Sequence, residues 1–132
     1  MILIYNNKCL EEKTKMGEVI VITSGKGGVG KTTLMWQTAK HIFENKTHEI
    51  YFINVDDLNR LGYRLYDAFN VLENNILQKP FHELQNSIVF LIDEVHEAEN
   101  WDKDLKILYE RCKKSFILCT GSSALLLHQS PD

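Results

Sequence analysis

The chain has 132 residues, of which 44% are hydrophobic and 25% charged, with 15 Lys and Arg against 18 Asp and Glu. That composition describes one domain, long enough to bury a core, and excludes a disordered polymer. The net charge of −3 provides no global attraction to nucleic acid or to an anionic membrane, which leaves only a local basic patch open. Three cysteines, Cys9, Cys112 and Cys119, show no Cys-x-x-Cys spacing. They read as ordinary thiols of a reducing compartment and argue against a zinc ribbon. The apolar start Met1 to Tyr5 is too short for a signal peptide or a membrane span, so a cytoplasmic location is the default expectation.

Taken in chain order, Ile2 to Tyr5 can form an edge strand within an N-terminal extension, residues 1–17. Glu18 to Thr23 is nearly continuously apolar, as a strand covered on both faces should be. Gly25-Lys-Gly-Gly-Val-Gly-Lys-Thr-Thr33 follows directly. This is a complete phosphate-binding loop in its strand-to-helix setting. Its glycines let backbone N–H groups converge on one point, and the next helix aims its positive end there. Gly25, Lys26, Gly27, Gly28, Val29, Gly30, Lys31, Thr32 and Thr33 are therefore the expected nucleotide-binding residues. Lys31 would reach the β- and γ-phosphates, and the Thr32 hydroxyl would join the shell of a magnesium ion. A plain glycine-rich turn has no need of a lysine and a hydroxyl at those two positions.

After the loop, Met35, Ala39, Ile42 and Phe43 recur on one helical face, and the helix should end near Asn45. Glu49 to Val55 reads as a second core strand, followed by one helix from Asp56 and Asp57 through Arg60 to Phe69. Ser87 to Ile92 reads as the third strand. Trp101, Leu105, Leu108, Tyr109 and Cys112 mark an amphipathic helix with an acidic start at Asp102. Ser115 to Cys119 reads as the fourth strand, before Thr120-Gly-Ser-Ser123 and a short helix start at Ala124 to Leu127. Apolar runs that alternate with helical segments define an α/β, three-layer fold around a mainly parallel sheet. Residues 18–132 thus form a single phosphate-loop domain.

The third strand ends in Asp93-Glu94, and ligands of open α/β sheets collect at the carboxyl ends of strands. Asp93 is the expected magnesium carboxylate. Glu94 beside it is the candidate base that orients and deprotonates water, a task worth about 10²–10⁴ in rate. A strand ending in two solvated acids is common. Here the apolar run before the pair and the upstream loop favour the site. Thr120, or Ser122 just beyond it, would act as a γ-phosphate sensor at the neighbouring strand end. Ser122 or Ser123 could equally cap the helix that contains Ala124 to Leu127.

The run Ile88-Val-Phe-Leu-Ile-Asp-Glu-Val-His-Glu-Ala-Glu-Asn-Trp101, Leu105 to Tyr109, and Ile117-Leu-Cys-Thr-Gly-Ser-Ser-Ala-Leu-Leu-Leu127 resembles the AAA-type ATPase domain of a large group of prokaryotic proteins. The likeness spans about Glu18 to Leu127. It implies binding and hydrolysis of Mg-ATP, with Lys31 and Thr32 on phosphate and magnesium, Asp93 and Glu94 on metal and water, and Thr120 or Ser122 as sensor. The preference for ATP also follows from the lack of an Asn-Lys-x-Asp guanine motif.

Two departures bear on that likeness. Lys26-Gly-Gly-Val-Gly-Lys-Thr-Thr33 looks like the loop of the deviant-loop ATPases of chromosome partitioning, where a lysine at the place of Lys26 reaches across a nucleotide-sandwich dimer and Asp56 or Asp57 would match a switch acid. Their third strand ends differently from Asp93-Glu94-Val-His, and the likeness fades after about residue 70. The second departure is length, because a final strand flanking the first, a lid and its sensor arginine find no room before Asp132. An incomplete domain, a non-hydrolysing binding fragment and a switch dimer are therefore the alternatives to a working ATPase. No arginine finger is assignable among Arg60, Arg64 and Arg111.

Asp93-Glu94-Val95-His96 also fits the Asp-Glu-x-His box of two-domain helicases, a likeness set aside because no second core domain is in the sequence. His41, His48, His82 and His128 lack ligand spacing, and Trp36 and Trp101 read as packing anchors. ATP is the expected partner. A homo-oligomer or a protein partner stays open.

Overall fold

The computed structural model describes residues 2–6, 18–24, 31–43, 49–85 and 87–122, with side chains described over 32–40, 49–85 and 87–122. The phosphate loop from Gly25 to Gly30, including Lys26, the Lys31 side chain, Cys9 and the Ala124 to Leu127 segment lie outside these.

Five strands form one sheet: β1 (Ile2–Asn6), β2 (Glu18–Ser24), β3 (Glu49–Asn54), β4 (Ile88–Asp93) and β5 (Ser115–Ser122). Their spatial order is β1-β2-β5-β4-β3, and every neighbouring pair is parallel. A parallel sheet must hide both faces, and the strand sequences show it: all six residues of β4 are buried. Alternation then sorts them between two cores. Val89, Leu91, Phe116 and Leu118 meet Met35 and Ala39 of α1 (Lys31–Phe43) on one face. Phe90, Ile92, Ile117 and Cys119 face the other helices across the sheet. Those are α2 (Val55–Arg60), α3 (Leu65–Val71) and α4 (Trp101–Arg111), which contribute Val55, Leu65, Phe69, Trp101, Leu105 and Leu108. Three layers result, as expected for a phosphate-loop NTPase fold. Among the described residues no strand follows β5, and the place beside β2 is taken by β1.

Three elements depart from the sequence reading. The single helix expected over Asp56 to Phe69 is two, because the chain turns at Gly62 with φ of 79°, a left-handed conformation that glycine adopts without a Cβ clash. The second helix restarts with half of a capping box, in which the Arg64 N–H donates to the Asp67 carboxylate at 2.8 Å. A π-helical turn, Leu72–Leu77, then extends it. Finally, β5 runs three residues beyond Cys119, since Thr120, Gly121 and Ser122 pair with Ile22, Thr23 and Ser24. Ser122 is the last residue of that strand.

Phe90 is the packing centre of the second core. Its ring lies 6.1 Å from Phe69 and 5.9 Å from Phe81, both edge to face, and 6.2 Å from Tyr51. Three residues further along the same strand is Asp93. No helix among the described residues is long and apolar enough to cross a membrane.

Candidate functional site

The carboxyl ends of the parallel strands set where polar groups can gather. Ile92 is paired with Cys119 and Asn54 with Asp93, so Asp93 and Thr120, one step further along β4 and β5, stand side by side. Lys31 opens α1, and Thr32 in its first turn reaches the same point. The Thr32 hydroxyl donates to Asp93 Oδ2 at 2.7 Å, joining positions 61 residues apart. The Thr120 hydroxyl donates to Asp93 Oδ1. Asp93 is 4% exposed and Thr120 fully buried, so the carboxylate is held in one orientation by two hydroxyls. Each such charge-assisted bond is worth about 1.5–3 kcal/mol. Thr33, next on α1, is exposed.

Glu94 leaves the strand in the left-handed region, with φ of 58°. For a residue with a Cβ this costs roughly 1–2 kcal/mol. Its N–H is satisfied at the turn, donating to Thr120 Oγ1 at 3.0 Å. Thr120 therefore uses its single proton on Asp93 and its lone pair on Glu94. The Glu94 side chain is 35% exposed, and its Oε2 lies 3.3 Å from His96 Nε2. His96 Nδ1 in turn accepts the Ser122 N–H at 3.0 Å. The described contact of Ser122 is thus made by its backbone.

The structure brings Thr32, Asp93, Glu94, Thr120 and Ser122 together at one end of the sheet. Asp56 and Asp57 instead sit in the first turn of α2, where Arg60 pairs with them at 2.8 and 4.0 Å. Sequence reasoning used His96 only as part of a helicase-like box and missed its contacts. The available signal was its position three residues beyond a strand-end aspartate, on a turn that must fold back toward the neighbouring strand. The cysteines of the described residues, Cys112 and Cys119, are buried and unpaired. Burial pushes the Cys112 thiol up to about 11 and Cys119 still higher, which keeps both protonated and unreactive.

Magnesium favours hard oxygen ligands, few of them from protein and the rest from water and phosphate. A hydroxyl and a carboxylate already within hydrogen-bond distance, Thr32 and Asp93, fit that demand. Thr32 is partly exposed at the start of a helix whose positive end attracts phosphate.

A family model described as an AAA domain matches residues 17–132. An uncharacterized protein of Methanocaldococcus jannaschii, MJ1637, is 32% identical over 114 residues, which cover 86% of this chain and 23% of that protein. The chain thus spans about a quarter of that relative's length. No solved structure matches it. With the match running from just before β2 to the last residue, this chain belongs to the AAA domain family and is an ATPase-like phosphate-loop module.

Proposed function

We propose that the domain binds Mg-ATP and hydrolyses it to ADP and phosphate. The observation that carries this is the 2.7 Å hydrogen bond between Thr32, beside the phosphate loop, and Asp93 at the tip of β4. Two motifs far apart in sequence offer their oxygens at one point, which a structural turn and a solvated acid would not do.

In this reading the N–H groups of Gly25 to Gly30 cradle the phosphates, with Lys26 and Val29 part of the loop, and Lys31 neutralises the β- and γ-oxygens. Thr32 and Asp93 would hold magnesium, which would supply charge neutralisation at the phosphates. Glu94 orients a water for in-line attack on the γ-phosphorus. As the new P–O bond forms and the bond to the β-phosphate oxygen breaks, the water's proton passes to the Glu94 carboxylate. Thr120 is assigned to holding Asp93 and the Glu94 backbone, because its proton is already donated. Ser122 is then the hydroxyl left to sense the γ-phosphate. Thr33 completes the first helical turn.

The test is calorimetric binding of Mg-ATP with phosphate release followed on the same protein. Lys31→Ala should abolish both, and Glu94→Gln should keep binding while losing turnover. A Glu94→Gln protein that hydrolyses at the wild-type rate would sink the assignment of the base. Binding without release in the wild type would leave a nucleotide-binding module that is not an enzyme by itself.

A further inference from the structure

His96 is a buried histidine whose ring is held on both sides. Its side chain is 6% exposed. Nδ1 accepts the Ser122 N–H at 3.0 Å. A ring nitrogen that accepts a backbone N–H carries no proton, so the imidazole is neutral with its one proton on Nε2. That nitrogen lies 3.3 Å from Glu94 Oε2 and 3.2 Å from Glu97 Oε1. Glu94 is thereby gripped twice from β5. Its backbone N–H is held by Thr120, and its carboxylate by an imidazole that hangs from Ser122, two residues further along the strand.

We infer that His96 is a positioning residue that holds the Glu94 carboxylate in a fixed orientation relative to the tip of β5. The inference rests on reading Glu94 as the residue that orients the attacking water. A carboxylate on three rotatable bonds, in a residue 35% exposed on its side chain, would otherwise sample several rotamers. The 3.3 Å electrostatic contact with Nε2 favours one of them, and the Ser122 hydrogen bond holds the ring in place. Any movement of the β5 tip is then passed through the ring to the carboxylate. Glu97, about half exposed, lies 3.2 Å from the same nitrogen and competes for the same proton.

Two amide variants separate the halves of this contact. The amide nitrogen of Gln can stand near Nε2 and donate to Glu94, whereas the amide oxygen of Asn stands near Nδ1 and accepts from Ser122. With ATP affinity unchanged throughout, His96→Ala should lower kcat for phosphate release by about 10–100-fold, the effect of a misplaced reacting group. His96→Gln should recover most of that loss, and His96→Asn should not. Recovery by Asn and not by Gln, a wild-type kcat in His96→Ala, or a loss of ATP affinity that accounts for the whole effect would each overturn the inference.

Nitrogen NMR of histidine-labelled full-length protein gives a second, independent decision. His96 should show the Nε2-protonated tautomer, and its Nε2 resonance should shift in Glu94→Gln. If the wild type releases no phosphate, the hydrolysis reading falls, while the NMR result still decides the His96 contact. An Nδ1-protonated ring, or an Nε2 resonance that ignores Glu94→Gln, would refute the contact even in an active ATPase.

Discussion

Replacing Thr120 by Val tests the centre of the site through stability alone. Thr120 is fully buried, its hydroxyl donates to Asp93 Oδ1, and it accepts the Glu94 N–H at 3.0 Å. Val keeps the shape of the side chain and removes both bonds. The bond to the carboxylate is worth about 1.5–3 kcal/mol, and a buried N–H left without an acceptor costs about 1–3 kcal/mol. Because the Glu94 turn can relax toward solvent, the combined loss should be about 2–4 kcal/mol, a large share of the roughly 5–15 kcal/mol that stabilises a domain. At a urea slope of about 2 kcal/mol per M, the midpoint should fall by about 1–2 M with the slope unchanged. Thr120→Ser is the control. It keeps the hydroxyl and loses one methyl group, a cost of about 0.8 kcal/mol. A Val variant no less stable than the Ser variant would refute the reasoning, since it would mean that the hydroxyl holds neither Asp93 nor Glu94.

Three further outcomes are expected. Asp104 is 2% exposed, and burial raises its pKa above the ordinary range against the opposing pull of Arg64 and the Tyr66 backbone. The native state then keeps the proton where the unfolded chain has lost it, so stability is lost as pH rises through the raised native value. Asp104→Asn escapes that loss, and its stability relative to wild type should grow as pH rises from the ordinary carboxylate range through the raised native value; a constant difference in urea midpoints would contradict this. Phe90→Ala, at a fully buried position in contact with Phe69 and Phe81, should cost about 3–5 kcal/mol in the same assay. Trp36 is 44% exposed and Trp101 only 2%, so Trp36→Phe should leave blue-shifted emission resistant to acrylamide, and red emission after that substitution would mean that Trp101 is not buried.

Much of the frame is legible in the residues because a parallel sheet writes itself as apolar runs and a phosphate loop as glycines around a lysine and a hydroxyl. Ile88 to Ile92 reads as a strand in any context, since only a segment covered on both faces is apolar at every position. Asp56 to Phe69 is less legible. Its helical period continues across Gly62, and only the φ of 79° found there breaks it in two. The end of β5 was hidden for a related reason: Thr120-Gly-Ser122 has the composition of a turn, and it is held extended by pairing with Ile22 to Ser24 of a strand nearly a hundred residues earlier.

By itself the sequence determined the fold class, the core strands and the residue types of the candidate site, all of which depend on local pattern and on motif spacing. Tertiary structure decided how those residues are used. The direction of a hydroxyl or an imidazole depends on which strand lies beside it, and strand order is set by packing of the whole sheet. That is why Thr120 holds Asp93 and Glu94 together, why His96 joins Glu94 to Ser122, and why β1 occupies the sheet position beside β2.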